Sequence, residues 1–101
     1  MKIHQIWIGP KARPDIWMDT VKAFAQNYNH EYILWDDQKV SELALINKKW
    51  YDSELTYNGK SDILRYELLN QFGGVYIDAD MVIINGERMN TLIKEFNTDC
   101  A

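Results

Sequence analysis

Asp78 and Asp80 are the residues of this chain best suited to chemistry: two carboxylates, separated by the small Ala79, at the end of the apolar run Val75-Tyr76-Ile77. In an extended segment they point to the same side with Cα atoms about 6.7 Å apart, so one cation could bridge both. Their hard oxygens suit a divalent ion, which would in turn neutralise a diphosphate. Buried together without a countercharge, they would repel by about 3 kcal/mol at a separation of ~5.5 Å and an effective dielectric of ~20, so either a metal ion or exposure to solvent has to resolve the pair. A D-x-D pattern alone recurs by chance in turns, and the elements that present it must carry the rest of the inference.

The segment leading into the acids is a helix-and-glycine delivery device. Ser61 suits an N-cap, Ile63, Leu64, Leu68, Leu69 and Phe72 recur on one helical side, and Gly73-Gly74 supplies the left-handed stop and tight turn before the strand Val75 to Asp80. Asp62 and Arg65 lie three apart on one helix face. They can form a solvated ion pair worth ~0.3 kcal/mol or point together at a ligand in the cleft that the acidic strand faces. Asp62 in a first turn also favours the helix dipole, and Arg65 offers a planar fork for phosphate or carboxylate. Tyr76 shares the face of Asp78 by period-two alternation and is either a phosphate contact or an ordinary half-buried strand tyrosine.

The chain upstream reads as alternating strands and helices. Ile3 to Ile8 is a strand stopped by Gly9-Pro10, with Trp7 near its carboxyl end, where the ring could stack on a planar base or simply pack. Beyond Pro14, Ile16, Trp17, Val21, Phe24 and Ala25 recur at helical spacing up to Tyr28 as a buried stripe, with Trp17 read as core. Glu31 to Trp35 is a second strand, Asp36-Asp37 an acidic turn, and Gln38 to about Ile46 a helix turning Val40, Leu43 and Ala44 inward. Asn47 to Lys60 reads as irregular, with Trp50, Tyr51 and Tyr57 packing on the neighbouring helix or covering a ligand. Met81 to Ile84 continues the apolar run, Asn85-Gly86 turns, and Glu87 to Phe96 is a last helix burying Met89, Leu92, Ile93 and Phe96. This alternation implies a small α/β sandwich with parallel pairing, in which ligands bind at the carboxyl ends of the strands. Trp7, Asp36-Asp37 and Asp78-Asp80 all fall at those ends.

Composition bounds the partners. The 101 residues fit a single domain, 1–101, and 47% apolar with 13% aromatic residues is enough for a core. A formal charge of −4 without a basic block argues against nucleic acid or an anionic membrane surface as partner. Cys100 is the only cysteine, read as an inert thiol, and the start Met1 to Gly9 is too short and polar for a secretory signal, so a cytoplasmic protein with no membrane span is expected. His4 and His30 lack a paired ligand at metal spacing and read as structural or exposed.

Taken together, Ile3 to Gly9, Tyr32 to Asp37 and Ser61 to Asp80 resemble the DXD-containing sugar-transferase family, which includes yeast-type α-mannosyltransferases, bacterial capsule and lipooligosaccharide sugar transferases, and the catalytic domains of large clostridial glucosylating toxins. The resemblance runs from about Lys2 to Ile84. It implies the GT-A fold, a Rossmann-like sandwich binding a nucleoside-diphosphate sugar with Mn²⁺ or Mg²⁺ and passing the sugar to a hydroxyl acceptor, mostly with retention of configuration. By the same resemblance Asp80 ligates the metal directly and Asp78 contacts the donor ribose and the metal shell. Asp62 and Arg65 hold the sugar hydroxyls, with Arg65 also near the diphosphate, Tyr76 meets the phosphates, and Trp7 stacks on the base. Asp36 and Asp37 match in sequence without a clear role. Ala79 stands where the family often has Thr or Val.

The family's catalytic domains continue well past the acid pair, with acceptor-binding segments and a further metal ligand, so this chain reads as a donor half: a fragment, a site completed by another chain, or a donor-binding module without transfer. Its uncovered sheet edges suit a homodimer. A phosphohydrolase of the haloacid-dehalogenase type also places a D-x-D at the end of an apolar strand, yet it needs a lysine and further acids downstream, where Met81 and Val82 stand here.

Overall fold

In the computed structural model, which describes residues 1–46 and 48–99 and, within 96–99, the backbone alone, three strands and five helices follow one another along the chain. Strand β1 (Lys2–Ile6) lies at the centre. Strand β2 (Glu31–Trp35) pairs parallel to it from Lys2 opposite Glu31 to Ile6 opposite Trp35, and β3 (Val75–Tyr76) pairs parallel on the other side through Ile3–Val75 and His4–Tyr76, giving the order β2-β1-β3. The chain adopts the expected α/β arrangement with a small, mostly parallel sheet, and both of its strand pairings are parallel.

A parallel sheet has to be covered on both faces, and alternation along the strands sorts the side chains into two cores. Ile3, Val75 and Ile77 pack against Val21, Phe24 and Ala25 of α1 (Asp15–Asn27) and Ile93 of α5 (Gly86–Asp99). Ile6, Ile8 and Trp35 pack against Val40 of α2 (Asp37–Ser41) and Leu64 and Leu68 of α4 (Tyr57–Phe72), with Tyr51 of α3 (Lys48–Ser53) at the margin. Leu64 and Leu68 are wholly buried, each contributing about 1.5–3 kcal/mol of transfer free energy to holding α4 on the sheet.

Several expectations fail for identifiable reasons. Ile16 is 84% exposed because it lies on the far side of α1 from Met18, which is buried in its place; Trp17 shares the angle of the stripe but sits in the first turn and stays 47% exposed. The irregular stretch expected over Asn47 to Lys60 contains α3 and the first turn of α4. That helix is capped one turn earlier than Ser61, by Thr56, whose extended backbone lets its hydroxyl accept from the Gly59 N–H at 3.0 Å. The Glu54 carboxylate fixes the cap by accepting from the Thr56 N–H and hydroxyl, and those bonds lower its pKa. Asp62 is consequently well inside the helix and not in its first turn.

Helix α2 ends at Ser41, and Ala44 beyond it is exposed, with its carbonyl accepting from Gln71. Phe72, at the end of α4, is 38% exposed and stacks on Trp35 with ring centroids 5.6 Å apart. The run Met81 to Ile84 is a loop with Met81, Val82 and Ile84 exposed, after which Asn85 caps α5 through the Arg88 N–H. Leu92 of α5 is 47% exposed. The side chain of Phe96 and the whole of Cys100 lie outside the described residues. Among the described residues no helix is long and apolar enough to cross a membrane.

Candidate functional site

Strand order fixes where a ligand can enter. The chain passes from central β1 to β2 on one side and then to β3 on the other, so the carboxyl ends of β1 and β3 flank a topological switch point. A cleft of about 590 Å³ opens there, walled by Trp7 and Lys11 after β1, Tyr57 and Asp62 of α4, Tyr76 of β3, and Asp78, Ala79 and Asp80 beyond it. That volume is within the range of small-molecule sites. Five of the six residues predicted for the site, Trp7, Asp62, Tyr76, Asp78 and Asp80, line this one cleft.

The acid pair reaches the cleft by a different backbone from the one expected. Strand pairing ends at Tyr76, with a last ladder bond from the Ile77 N–H to the His4 carbonyl, and the Met81 N–H then bonds the Asp78 carbonyl at 3.1 Å to close a turn over Asp78–Met81. The segment is not extended through Asp80, so period-two alternation does not govern the two carboxylates; the turn presents them. Its carbonyl at Asp78 also accepts from the buried Gln5 side chain at 3.2 Å, and the loop beyond is pinned by the Ile83 N–H on the Thr20 hydroxyl at 3.1 Å.

Both aspartates are exposed, and among the described residues neither has an ion-pair partner. In water two unit charges even ~4 Å apart repel by only about 1 kcal/mol, so solvent is enough to relieve the pair in the ligand-free chain. Their oxygens are therefore free of any lysine or arginine that would block a cation. Among the described residues no cluster of three or more His, Cys, Asp or Glu is placed to hold a metal ion. Two carboxylates still fit Mg²⁺ or Mn²⁺, because such ions commonly take one or two from the protein and complete the shell with substrate phosphates and water.

The surrounding groups are set by Arg65 and Tyr76. Arg65 lines the neighbouring apolar groove and not the cleft, reaching back to Asp62 at 3.5 Å while its guanidinium lies 5.3 Å from the Tyr66 ring and 5.7 Å from the Tyr76 ring. It can thus orient Asp62 and Tyr76 from behind. Burial, and then the charge of Asp78 and a hydrogen bond to it, push the Tyr76 hydroxyl well above the ordinary tyrosine range, which keeps it protonated and a donor. The Trp7 indole N–H donates to the Lys11 carbonyl at 2.9 Å, tying the edge of the ring to the loop that follows Gly9-Pro10. Gly9 has φ +96°, and a Cβ there would stand 2.9–3.1 Å from the Tyr57 ring, so only glycine lets α4 close against this loop.

Asp36 and Asp37 do structural work outside the cleft: Asp36 caps α2 by accepting from the Lys39 N–H at 2.8 Å, and Asp37 accepts from the Gly9 N–H at 3.0 Å. Trp50 is exposed and Tyr51 packs at the margin of the core, whereas Tyr57 lines the cleft. Lys11 went unnoticed in the sequence because nothing marks a lone loop lysine. Gln5 did carry a signal, being a polar residue at an inward-facing position of an apolar strand.

The family model described as "Glycosyltransferase sugar-binding region containing DXD motif" matches residues 14–97. Inositol phosphoceramide mannosyltransferase 3 of Schizosaccharomyces pombe is 31% identical over 84 residues, 78% of this chain and 23% of that protein. Inositol phosphoceramide mannosyltransferase 1 of the same yeast is 33% identical over 87 residues, 78% of this chain and 27% of its own length. The uncharacterized glycosyltransferase L373 of Acanthamoeba polyphaga mimivirus is 32% identical over 87 residues, covering 79% of this chain and 35% of the viral protein. The chain thus spans about a quarter to a third of the length of these relatives. No solved structure matches it. The matched region holds the helix, the glycine pair and the acid turn that build the cleft, and on this footing the chain belongs to the family of glycosyltransferase sugar-binding regions containing a DXD motif.

Proposed function

We propose that the cleft at the β1/β3 switch point binds a nucleoside-diphosphate sugar through Mn²⁺ or Mg²⁺ held by Asp78 and Asp80, and that the chain is the donor half of a glycosyltransferase. The observation that carries this reading is the convergence of Trp7, Asp62, Tyr76, Asp78 and Asp80 on one cleft, with no lysine or arginine among the described residues paired to the acids. When bound, the cation stabilises the negative charge that gathers on the departing diphosphate. Trp7 offers an aromatic face to the base, Tyr76 a hydroxyl to a phosphate oxygen, and Asp62, steadied by Arg65, acceptor oxygens for sugar hydroxyls.

In the transfer, the bond between the anomeric carbon and the diphosphate oxygen breaks and the acceptor hydroxyl oxygen forms the new one. The hydroxyl proton is released and the diphosphate keeps the bonding pair. Retention of configuration is proposed from the family resemblance. The names of the yeast relatives favour mannose as the sugar.

Titration calorimetry of the chain with uridine and guanosine diphosphate sugars, a mannosyl donor among them, tests the reading. Binding is expected with Mn²⁺ and not with chelator, and Asp80→Asn is expected to weaken it about tenfold or more, at least ~1.4 kcal/mol. Equal donor and metal binding by parent and variant would overturn the site assignment.

A further inference from the structure

We infer that Gln5 is a positioning residue for the acid turn, its side-chain amide clamped by Tyr32 so as to hold the Asp78 carbonyl and thereby set where the two carboxylates face. Gln5 is wholly buried near the carboxyl end of the central strand, on the face otherwise covered by the apolar side chains of α1 and α5. A polar side chain there costs free energy unless both ends of its amide are bonded, and an aliphatic residue would fill the position without that demand.

Both ends are bonded, and their chemistry fixes the direction. The Asp78 carbonyl can only accept, so the Gln5 amide nitrogen at 3.2 Å must face it; the amide oxygen then takes the Tyr32 hydroxyl at 2.7 Å. Burial, chiefly, and the charge of Asp19 push the Tyr32 pKa up to about 12, so the hydroxyl is a donor throughout the working range. The chain of bonds runs from β2 through β1 to the turn. It begins where β3 stops, and the Asp78 carbonyl is shared between Gln5 and the Met81 N–H. Of the groups that hold the turn, Gln5 is the one anchored in the rigid centre of the sheet.

The consequence for donor binding rests on the proposed function; the consequence for the turn does not. The test compares the parent chain with Gln5→Met, which keeps size and loses both bonds, and with Tyr32→Phe, which removes a single hydroxyl and serves alone should Gln5→Met fail to fold. Amide exchange and chemical shifts are followed by NMR, and Mn²⁺ affinity by titration. The expected result is a changed shift and faster exchange at Met81 with parent-like amides in the β1–β2 ladder, and Mn²⁺ affinity lower by about 10–100-fold in Gln5→Met and less in Tyr32→Phe, as for groups that orient metal ligands. An unchanged Met81 amide in a folded variant would overturn the inference. So would exchange that rises uniformly across the ladder with Mn²⁺ affinity intact, since that is what a merely structural residue would give. If the parent takes up Mn²⁺ and no sugar donor, the proposed function fails while Met81 still decides the role of Gln5.

Discussion

Acidification should unfold this chain through His4, and the structure gives the sign and size of the effect. The His4 ring is wholly buried on β1, with Nε2 2.8 Å from the Gly73 carbonyl and Nδ1 3.1 Å from the Trp35 indole nitrogen. A carbonyl only accepts and an indole N–H only donates, so the neutral ring with its proton on Nε2 is the one form that satisfies both. Burial, outweighing the Gly73 carbonyl, lowers the His4 pKa below its ordinary value of 6.5. The unfolded chain therefore takes up its proton first. The stabilisation is complete above pH ~6.5 and is lost as pH falls from there toward the folded-state pKa, with a limiting slope of about 1.4 kcal/mol per pH unit.

Urea unfolding followed by tryptophan fluorescence at several pH values from neutral to mildly acidic measures this slope directly. His4→Gln at neutral pH should cost about 2–4 kcal/mol, for two altered bonds and the buried partners they leave, yet its stability should vary less with pH than that of the parent. Parallel loss of stability in parent and variant on acidification would refute the assignment, because the loss would then not pass through His4.

Two further outcomes follow from the same geometry. Gly74 has φ +93° and a Cβ there would run into the Lys2 carbonyl, whereas Gly73, at φ +68°, has open space around it. Gly74→Ala should therefore cost more than the ~1–2 kcal/mol left-handed penalty expected for Gly73→Ala, and equal urea midpoints for the two would contradict the close approach of β1 to the glycine pair. Chelating divalent cations should leave the midpoint of the parent in place, since an exposed acid pair carries no more than about 1 kcal/mol of repulsion in water; unfolding on chelation would show that the ion is needed to build the turn.

The elements that were legible in the sequence are those whose side chains decide their own environment. Glu31 to Trp35 was read to the residue because its β-branched and aromatic run fills the strand on both faces. Leu64 and Leu68 were placed in the core by spacing alone. Boundaries set by competition between neighbouring polar groups were not legible. Ser61 and Thr56 are both good caps by type, and Glu54, two residues upstream of Thr56, decides between them with bonds to its N–H and hydroxyl. Trp17 fits the buried stripe by angle, and only its place in the first turn of α1 leaves it exposed.

The acid turn shows why a site can be legible in outline and wrong in backbone. Residue types predicted which side chains would meet, because a parallel sheet sends every strand end to the same rim. What sequence spacing could not supply is the Gln5 amide, which arrives from a strand 73 positions away in the chain and takes the Asp78 carbonyl where the chain turns. An extended Asp-Ala-Asp would bring its carboxylates to the sheet surface, where dehydration raises their mutual repulsion toward ~3 kcal/mol; a turn carries them into water, where the same pair is nearly neutral in cost. The broken strand thus lets two like charges wait side by side without a counterion. It also leaves the turn that carries them held in part by a buried amide, so that disturbing Gln5 is expected to disperse the pair while leaving each aspartate present.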